Sequence, residues 1–185
     1  FQQGLKYGQQ ALAQADKNPE RKRQALESLD ILYSGIANLY FDQGQYAKSI
    51  EAFQQVLAIN RQLGDRGGEA LTLRVIAGNY GMLGEFRQAL ELQEQVLAIV
   101  RQLQDPVGEA GALVSIGKTY SDLGQYSKAE DYYQQALAIA RQQGAVMDQA
   151  RILNNLGSIY RTQGEYERQL KSYQEALQLN REVRR

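Results

Sequence analysis

The sequence contains no cysteine and no histidine. Without cysteine there is no thiol nucleophile, no disulfide and no thiolate metal ligand. Without histidine, a Ser-His-Asp triad and histidine-ligated zinc are excluded. An excess of one charge is missing too, because 21 Lys and Arg balance 21 Asp and Glu. A dedicated nucleic-acid binder carries a basic surplus, so no nucleic-acid partner is expected. Uniformly apolar stretches such as residues 136–140 are far too short to span a bilayer. A soluble chain without a membrane partner is therefore expected, with the cytoplasm favoured as its compartment. The chain starts at Phe1 rather than Met, which reads as a fragment or a processed form of a longer protein. Only two prolines occur, Pro19 and Pro106.

What the sequence does have is internal repetition. Tyr40, Tyr80, Tyr120 and Tyr160 recur every 40 residues, followed by Gly44, Gly84, Gly124 and Gly164. An aromatic stands two residues after each glycine: Tyr46, Phe86, Tyr126 and Tyr166. Leu57, Leu97, Leu137 and Leu177 keep the same register, as do Ile59, Ile99, Ile139 and Leu179.

Each copy reads as two helices. In the third, Leu113, Ile116, Gly117 and Tyr120 lie at i, i+3, i+4 and i+7, one face of a helix. The period restarts after Gly124 with Tyr126, Ala129, Tyr133, Ala136 and Leu137. The glycine between the runs fits a left-handed position after a helix end, where a side chain would cost roughly 1–2 kcal/mol. The unit is therefore helix A, a glycine turn, then helix B. Asn18-Pro19 and Asp105-Pro106 read as N-caps followed by proline at the first helical position. Pro19 precedes Tyr40 by 21 residues and Pro106 precedes Tyr120 by 14, so the first helix A should be about two turns longer. GQQALAQA near the start resembles YQQALAIA at 133–140 and reads as helix B of a preceding repeat, which makes nine helices. The expected organisation is one all-α array: residues 1–24 leading, then repeats at 25–66, 67–106, 107–146 and 147–185.

The segments LVSIGKTYSDLGQYSKAEDYYQQAL (113–137) and LNNLGSIYRTQGEYERQLKSYQEAL (153–177) resemble the tetratricopeptide repeat. The third copy carries the family pattern throughout: Gly117, Tyr120, Gly124, Tyr126, Ala129, Tyr133 and Ala136. Other copies depart from it. Gln93 and Val96 replace the residues equivalent to Tyr133 and Ala136, Gln169 replaces the small Ala129, and Ala37 and Ala77 replace Gly117. The period of 40 is longer than the usual 34 and is similar to that of kinesin light chains, Pins-type adaptors and arrays in bacterial signalling proteins.

The resemblance implies a right-handed superhelical α-solenoid whose A helices line the concave side, a surface that binds peptides. On that reading the helix-A stripe comprises Ser34, Asn38, Arg74, Lys118, Arg151, Asn154, Asn155, Ser158 and Arg161. Arg74, Lys118, Arg151 and Arg161 against Asp42 and Asp122 make the groove mildly cationic and point to an acidic or C-terminal peptide. The carboxylate clamp of chaperone-binding relatives is not reproduced, so Hsp70 or Hsp90 tails are not expected. Exposed terminal units also allow end-to-end self-association.

Other features carry less. Lys17, Arg21, Lys22 and Arg23 read as a solvated helix start, and Arg181, Arg184 and Arg185 as a helix C-terminus. Asp65-Arg66-Gly67-Gly68 lacks the Lys-Ser/Thr of a phosphate loop. Glu130-Asp131 and Glu165-Glu167 read as lying on polar faces, and nothing in the sequence points to the pocket that acid–base chemistry would need. No cofactor, metal or catalytic residue is expected. The expected function is a non-catalytic protein-interaction module; the alternatives are an intramolecular regulatory or sensor array of a larger signalling protein, or a self-assembling scaffold.

Overall fold

The computed structural model describes residues 2–15 and 18–183. These form nine α-helices and, among the described residues, no strand. In chain order they are α1 (Gln2–Gln14), α2 (Pro19–Asp42), α3 (Tyr46–Leu63), α4 (Arg66–Met82), α5 (Phe86–Gln102), α6 (Pro106–Asp122), α7 (Tyr126–Gln142), α8 (Val146–Gln163) and α9 (Tyr166–Val183). Two compact units are distinguished, Phe1–Ile99 and Val100–Arg185. In the first, α1 packs on α2, α2 on α3 and α3 on α4; in the second, α6 packs on α7, α7 on α8 and α8 on α9. No helix of the described residues is long and apolar enough to cross a membrane.

Local chemistry sets the ends of these helices. Asn18 and Asp105 accept hydrogen bonds from the backbone N–H groups of Arg21 and Gly108, at 3.1 and 2.9 Å, with proline at the first helical position in both. Asp65, not foreseen as a cap, does the same for Gly68 at 2.8 Å. Gly44, Gly84, Gly124 and Gly164 all adopt φ between 71° and 78°, the left-handed turn that their spacing requires. A second glycine column ends helix B with Gly64 and Gly144, and there Gln104 holds φ 55° without being glycine. As expected, α2 has 24 residues where α6 has 17.

Packing within a hairpin follows from residue size. Gly117 lets the Tyr133 ring approach so closely that an added Cβ would lie 3.0 Å from it. Leu113, Ile116, Leu156, Ile152 and Ile159 are fully buried around such contacts. The column of Tyr40, Tyr80 and Tyr120, expected in the core, is only half-buried; Tyr160 alone of that column is buried. Lys48 lies over the Tyr40 ring at 5.5 Å and Lys128 over Tyr120 at 5.1 Å, while Tyr132 stacks on Tyr120 at 5.4 Å. These rings thus cover the apolar layer and meet cations on their outer faces.

Ion pairs repeat with the fold. Arg61 pairs with Glu69 at 2.9 Å and Arg101 with Glu109 at 2.7 Å, each joining the end of helix B to the start of the next helix A. The Arg61 hydrogen bond holds the Glu69 carboxyl below the usual carboxylate range despite its burial. The third such position is Gln149, which donates to the Ala140 carbonyl at 3.1 Å, and Arg141 reaches Glu175 at 2.6 Å instead.

Asp30 breaks the pattern: it occupies the position that is Ala70, Ala110 and Ala150 in later copies. Its Oδ1 is buried without a hydrogen-bond partner. It lines a polar cleft of about 360 Å³ with Arg23, Glu27, Asn60 and Asp65. Burial pushes its carboxyl up, and the Asp65 charge adds to the effect. A raised folded-state pKa means the folded protein holds this proton more tightly than the unfolded chain. The stabilisation that this provides is complete in acid and disappears as pH climbs past the ordinary value of 3.8. Asp30→Ala should therefore stabilise the protein at neutral pH, by on the order of 1 kcal/mol. The advantage should shrink towards about pH 3.5. Urea unfolding of both proteins at the two pH values measures it, and an advantage independent of pH would refute this account.

Candidate functional site

An open groove of about 440 Å³ lies in the second unit between α6 and α8. Val114, Ser115, Lys118, Ser121 and Asp122 line it from α6, and Arg151, Asn155 and Ser158 from α8. Their spacings of three, four and seven place each set on one helical face. Tyr133 of α7 closes the floor. Burial pushes the Tyr133 hydroxyl up to about 12, the Asp122 charge adding to this and Arg151 opposing it. It stays protonated at neutral pH.

The cations of the groove are compensated locally. Lys118 Nζ meets Asp122 Oδ2 at 2.6 Å and Arg151 meets Asp148 at 2.9 Å. Both pairs are solvent-exposed, so they contribute little stability and are open to exchange with another carboxylate. Ser115 donates to the Gly111 carbonyl at 3.0 Å. An apolar pocket of about 170 Å³ adjoins the groove, with Val107, Ala110, Ile139, Ala140 and Ile152 in its walls. Val114 and Arg151 line both, so the two spaces are neighbours.

Of the residues picked from the sequence, Lys118, Arg151, Asn155 and Ser158 come together in this groove. Asn154 and Arg161 are exposed on α8 but do not line it. In the first unit Ser34 is half-buried on α2, while Asn38 and Arg74 are exposed on α2 and α4. Two clefts of that unit, one between α1 and α2 and one around Asp30, are lined by none of these three. Val114 and Ser115 of α6 and Asn155 of α8 line the groove, Val114 being buried beneath it, and Asn154 does not line it. The Tyr133 wall and the apolar pocket were missed, because core-type residues carry no sign of also facing a cavity.

The clustered bases at the chain's ends do not form a site in the described residues. Arg21 and Lys22 are exposed at the start of α2 and Arg23 pairs with Glu27 at 2.8 Å. Lys17, Arg184 and Arg185 lie outside the described residues. Among the described residues no group of three acidic side chains is placed to hold a metal ion.

The sequence profile of the tetratricopeptide repeat matches residues 27–102 and 108–182. No curated protein matches the chain in sequence. Solved structures similar in fold include BtubC (BKLC) from P. vanneervenii, 19% identical with a TM-score of 0.74, covering 98% of this chain and 74% of that one. A Rap protein complexed with competence and sporulation factor is 22% identical with a TM-score of 0.73, covering 94% of this chain. The chain spans about half of that protein, 52% of its length. A putative kinesin light chain from Podosopora anserina is 18% identical with a TM-score of 0.69, covering 99% of this chain and 88% of that one. At these identities the likeness concerns the fold, an all-α solenoid of paired helices.

Proposed function

Because the chain belongs to the tetratricopeptide repeat family, a fold that is generally non-catalytic, we propose that it is a protein-interaction module that holds an extended peptide in the groove between α6 and α8. The observation that carries this reading is the convergence of Lys118, Arg151, Asn155 and Ser158 on one open groove beside an apolar pocket. Side-chain amides and hydroxyls suit a peptide backbone, while Lys118 and Arg151 suit a carboxylate of the ligand. The pocket of about 170 Å³ suits one aliphatic side chain next to that carboxylate. The ligand is thus an acidic or C-terminal peptide, and binding exchanges the Asp122 and Asp148 partners for its own charge.

A peptide-array screen with the purified chain, followed by calorimetric titration of the best binder, tests this. Lys118→Glu and Arg151→Glu should each weaken binding about tenfold or more, since a charged hydrogen bond is worth roughly 1.5–3 kcal/mol. Undiminished affinity in the double variant would move the site out of this groove.

A further inference from the structure

The crevice that forms the apolar pocket occurs twice in the chain, with opposite chemistry. Val107, Ala110, Ala140 and Ala145 of the pocket are the repeat equivalents of Glu27, Asp30, Asn60 and Asp65, which line the polar cleft of the first unit. The paired helices thus provide the place in both, and the side chains decide its character. Carboxylates and an amide line it in the first copy, alkyl groups in the third. The apolar lining belongs to this copy and is not imposed by the fold.

Gly111 adds a second observation. Its repeat equivalents are Ile31, Leu71 and Arg151, and the first two are 72 and 54% exposed. Glycine inside a helix is costlier than any of these side chains. At Gly117 and Gly157 the tyrosine ring opposite accounts for it. No neighbour accounts for Gly111, where an added Cβ would meet nothing within 4 Å. Gly78 and Gly81 of α4 are equally open; what distinguishes Gly111 is that it lines the apolar pocket, so the missing side chain leaves room beside it. Val107 lines the same pocket and is 65% exposed, apolar surface that an occupant would cover.

The charge beside the pocket defines the rest of the occupant. Arg151 borders pocket and groove alike and already holds one carboxylate, that of Asp148, at 2.9 Å. An occupant that matches both walls brings an alkyl group and a carboxylate close together. In an extended peptide adjacent side chains point to opposite sides, so an aliphatic residue and an acidic neighbour do not face one wall. A C-terminal residue meets the requirement by itself, because its side chain and its carboxylate hang on one Cα. We propose that the groove selects peptides that end in Leu, Ile or Val with a free carboxylate, Gly111 being the residue that admits the side chain and Arg151 the one that takes the carboxylate. This rests on the peptide reading of the groove and narrows it to one end of the ligand.

The probes are acetyl-Ser-Glu-Ser-Glu-Ser-X peptides, with X Leu, Ala or Gly, and the Leu peptide also as its C-terminal amide. Titrated into the isotope-labelled chain and followed by NMR, the free-acid Leu peptide should shift the amide signals of Gly111 and Arg151. It should bind about tenfold more tightly than the Gly peptide or the amide. Gly111→Leu, which supplies the side chain present at Leu71, should remove the preference for Leu over Gly and leave the affinity of the Gly peptide unchanged. Gly111→Ala should fall between, and both variants should be as helical as the parent. Equal affinity for the Leu and Gly peptides, equal affinity for acid and amide, or a Leu preference that persists in Gly111→Leu would overturn the inference. If Lys118→Glu still weakened those peptides, the groove reading would survive that result. No shift of any groove residue at millimolar peptide would overturn both.

Discussion

Tyr133→Ala is expected to lower the unfolding free energy by about 3–5 kcal/mol, the cost of removing a buried aromatic ring and leaving the space empty. Tyr133 is 3% exposed and fills the gap left by Gly117 on the facing helix. Glycine cannot close the cavity by reorienting a side chain, so little relaxation offsets the loss. Amide exchange of α6 and α7 should accelerate accordingly, because in a repeat array each hairpin depends chiefly on its neighbours. Tyr133→Phe keeps the ring and separates packing from the hydroxyl. The hydroxyl is pushed up to about 12 by burial. The folded state therefore keeps a proton that the unfolded chain loses above its ordinary value of 10.0. Stability should fall as pH rises from 10.0 towards about 12, and less so in Tyr133→Phe. Chemical denaturation across that range checks both parts. A Tyr133→Ala protein destabilised by less than about 1 kcal/mol would mean that the ring is not part of the packed core.

The features legible in the sequence are those fixed by backbone sterics and by size. A glycine that must take positive φ recurs every 40 residues, and the helix ends follow from it, from the N-caps and from the two prolines. The registers of Leu113, Ile116 and Leu137 are readable because a helix buries one stripe. Lys118 and Arg151 could be placed on an open face by the same geometry. Their partners Asp122 and Asp148, at i+4 and i−3, were also written in the chain, yet the pairing depends on rotamers that periodicity does not encode. Burial on one side was readable; its degree was not. Tyr120 belongs to the core stripe by phase but sits at its rim, where Lys128 and Tyr132 cover it. Leu177 matches Leu137 letter for letter, yet Leu137 is buried and Leu177 is half-exposed, a difference that a repeat motif cannot reveal. Asp30 in an alanine column is a chemical anomaly visible in the alignment of copies, but only its buried oxygen shows what it costs.

Gly157→Ala should destabilise the last hairpin, and Tyr173→Gln should largely reverse the loss. A Cβ on residue 157 would lie 2.5 Å from the Tyr173 ring, closer than any real contact, and 2.8 and 2.9 Å from its neighbouring ring atoms. The ring must move or the two helices must part, an overpacking cost of typically 1–3 kcal/mol. The higher helix propensity of alanine returns up to about 1 kcal/mol, so a net loss of roughly 1–2 kcal/mol is expected. The repeats themselves supply the control. Gly117 faces Tyr133 and Gly157 faces Tyr173, whereas Ala37 accompanies Phe53 and Ala77 accompanies Gln93. In both copies that carry a tyrosine at this place on helix B, helix A carries glycine. With Tyr173 changed to Gln, the alanine at 157 reproduces the Ala77–Gln93 pair, and its propensity gain is then realised without the clash. The double-mutant cycle should give a coupling of about 1–3 kcal/mol of favourable sign. Additive effects of the two substitutions would show that glycine is kept at 157 for some reason other than the ring opposite it.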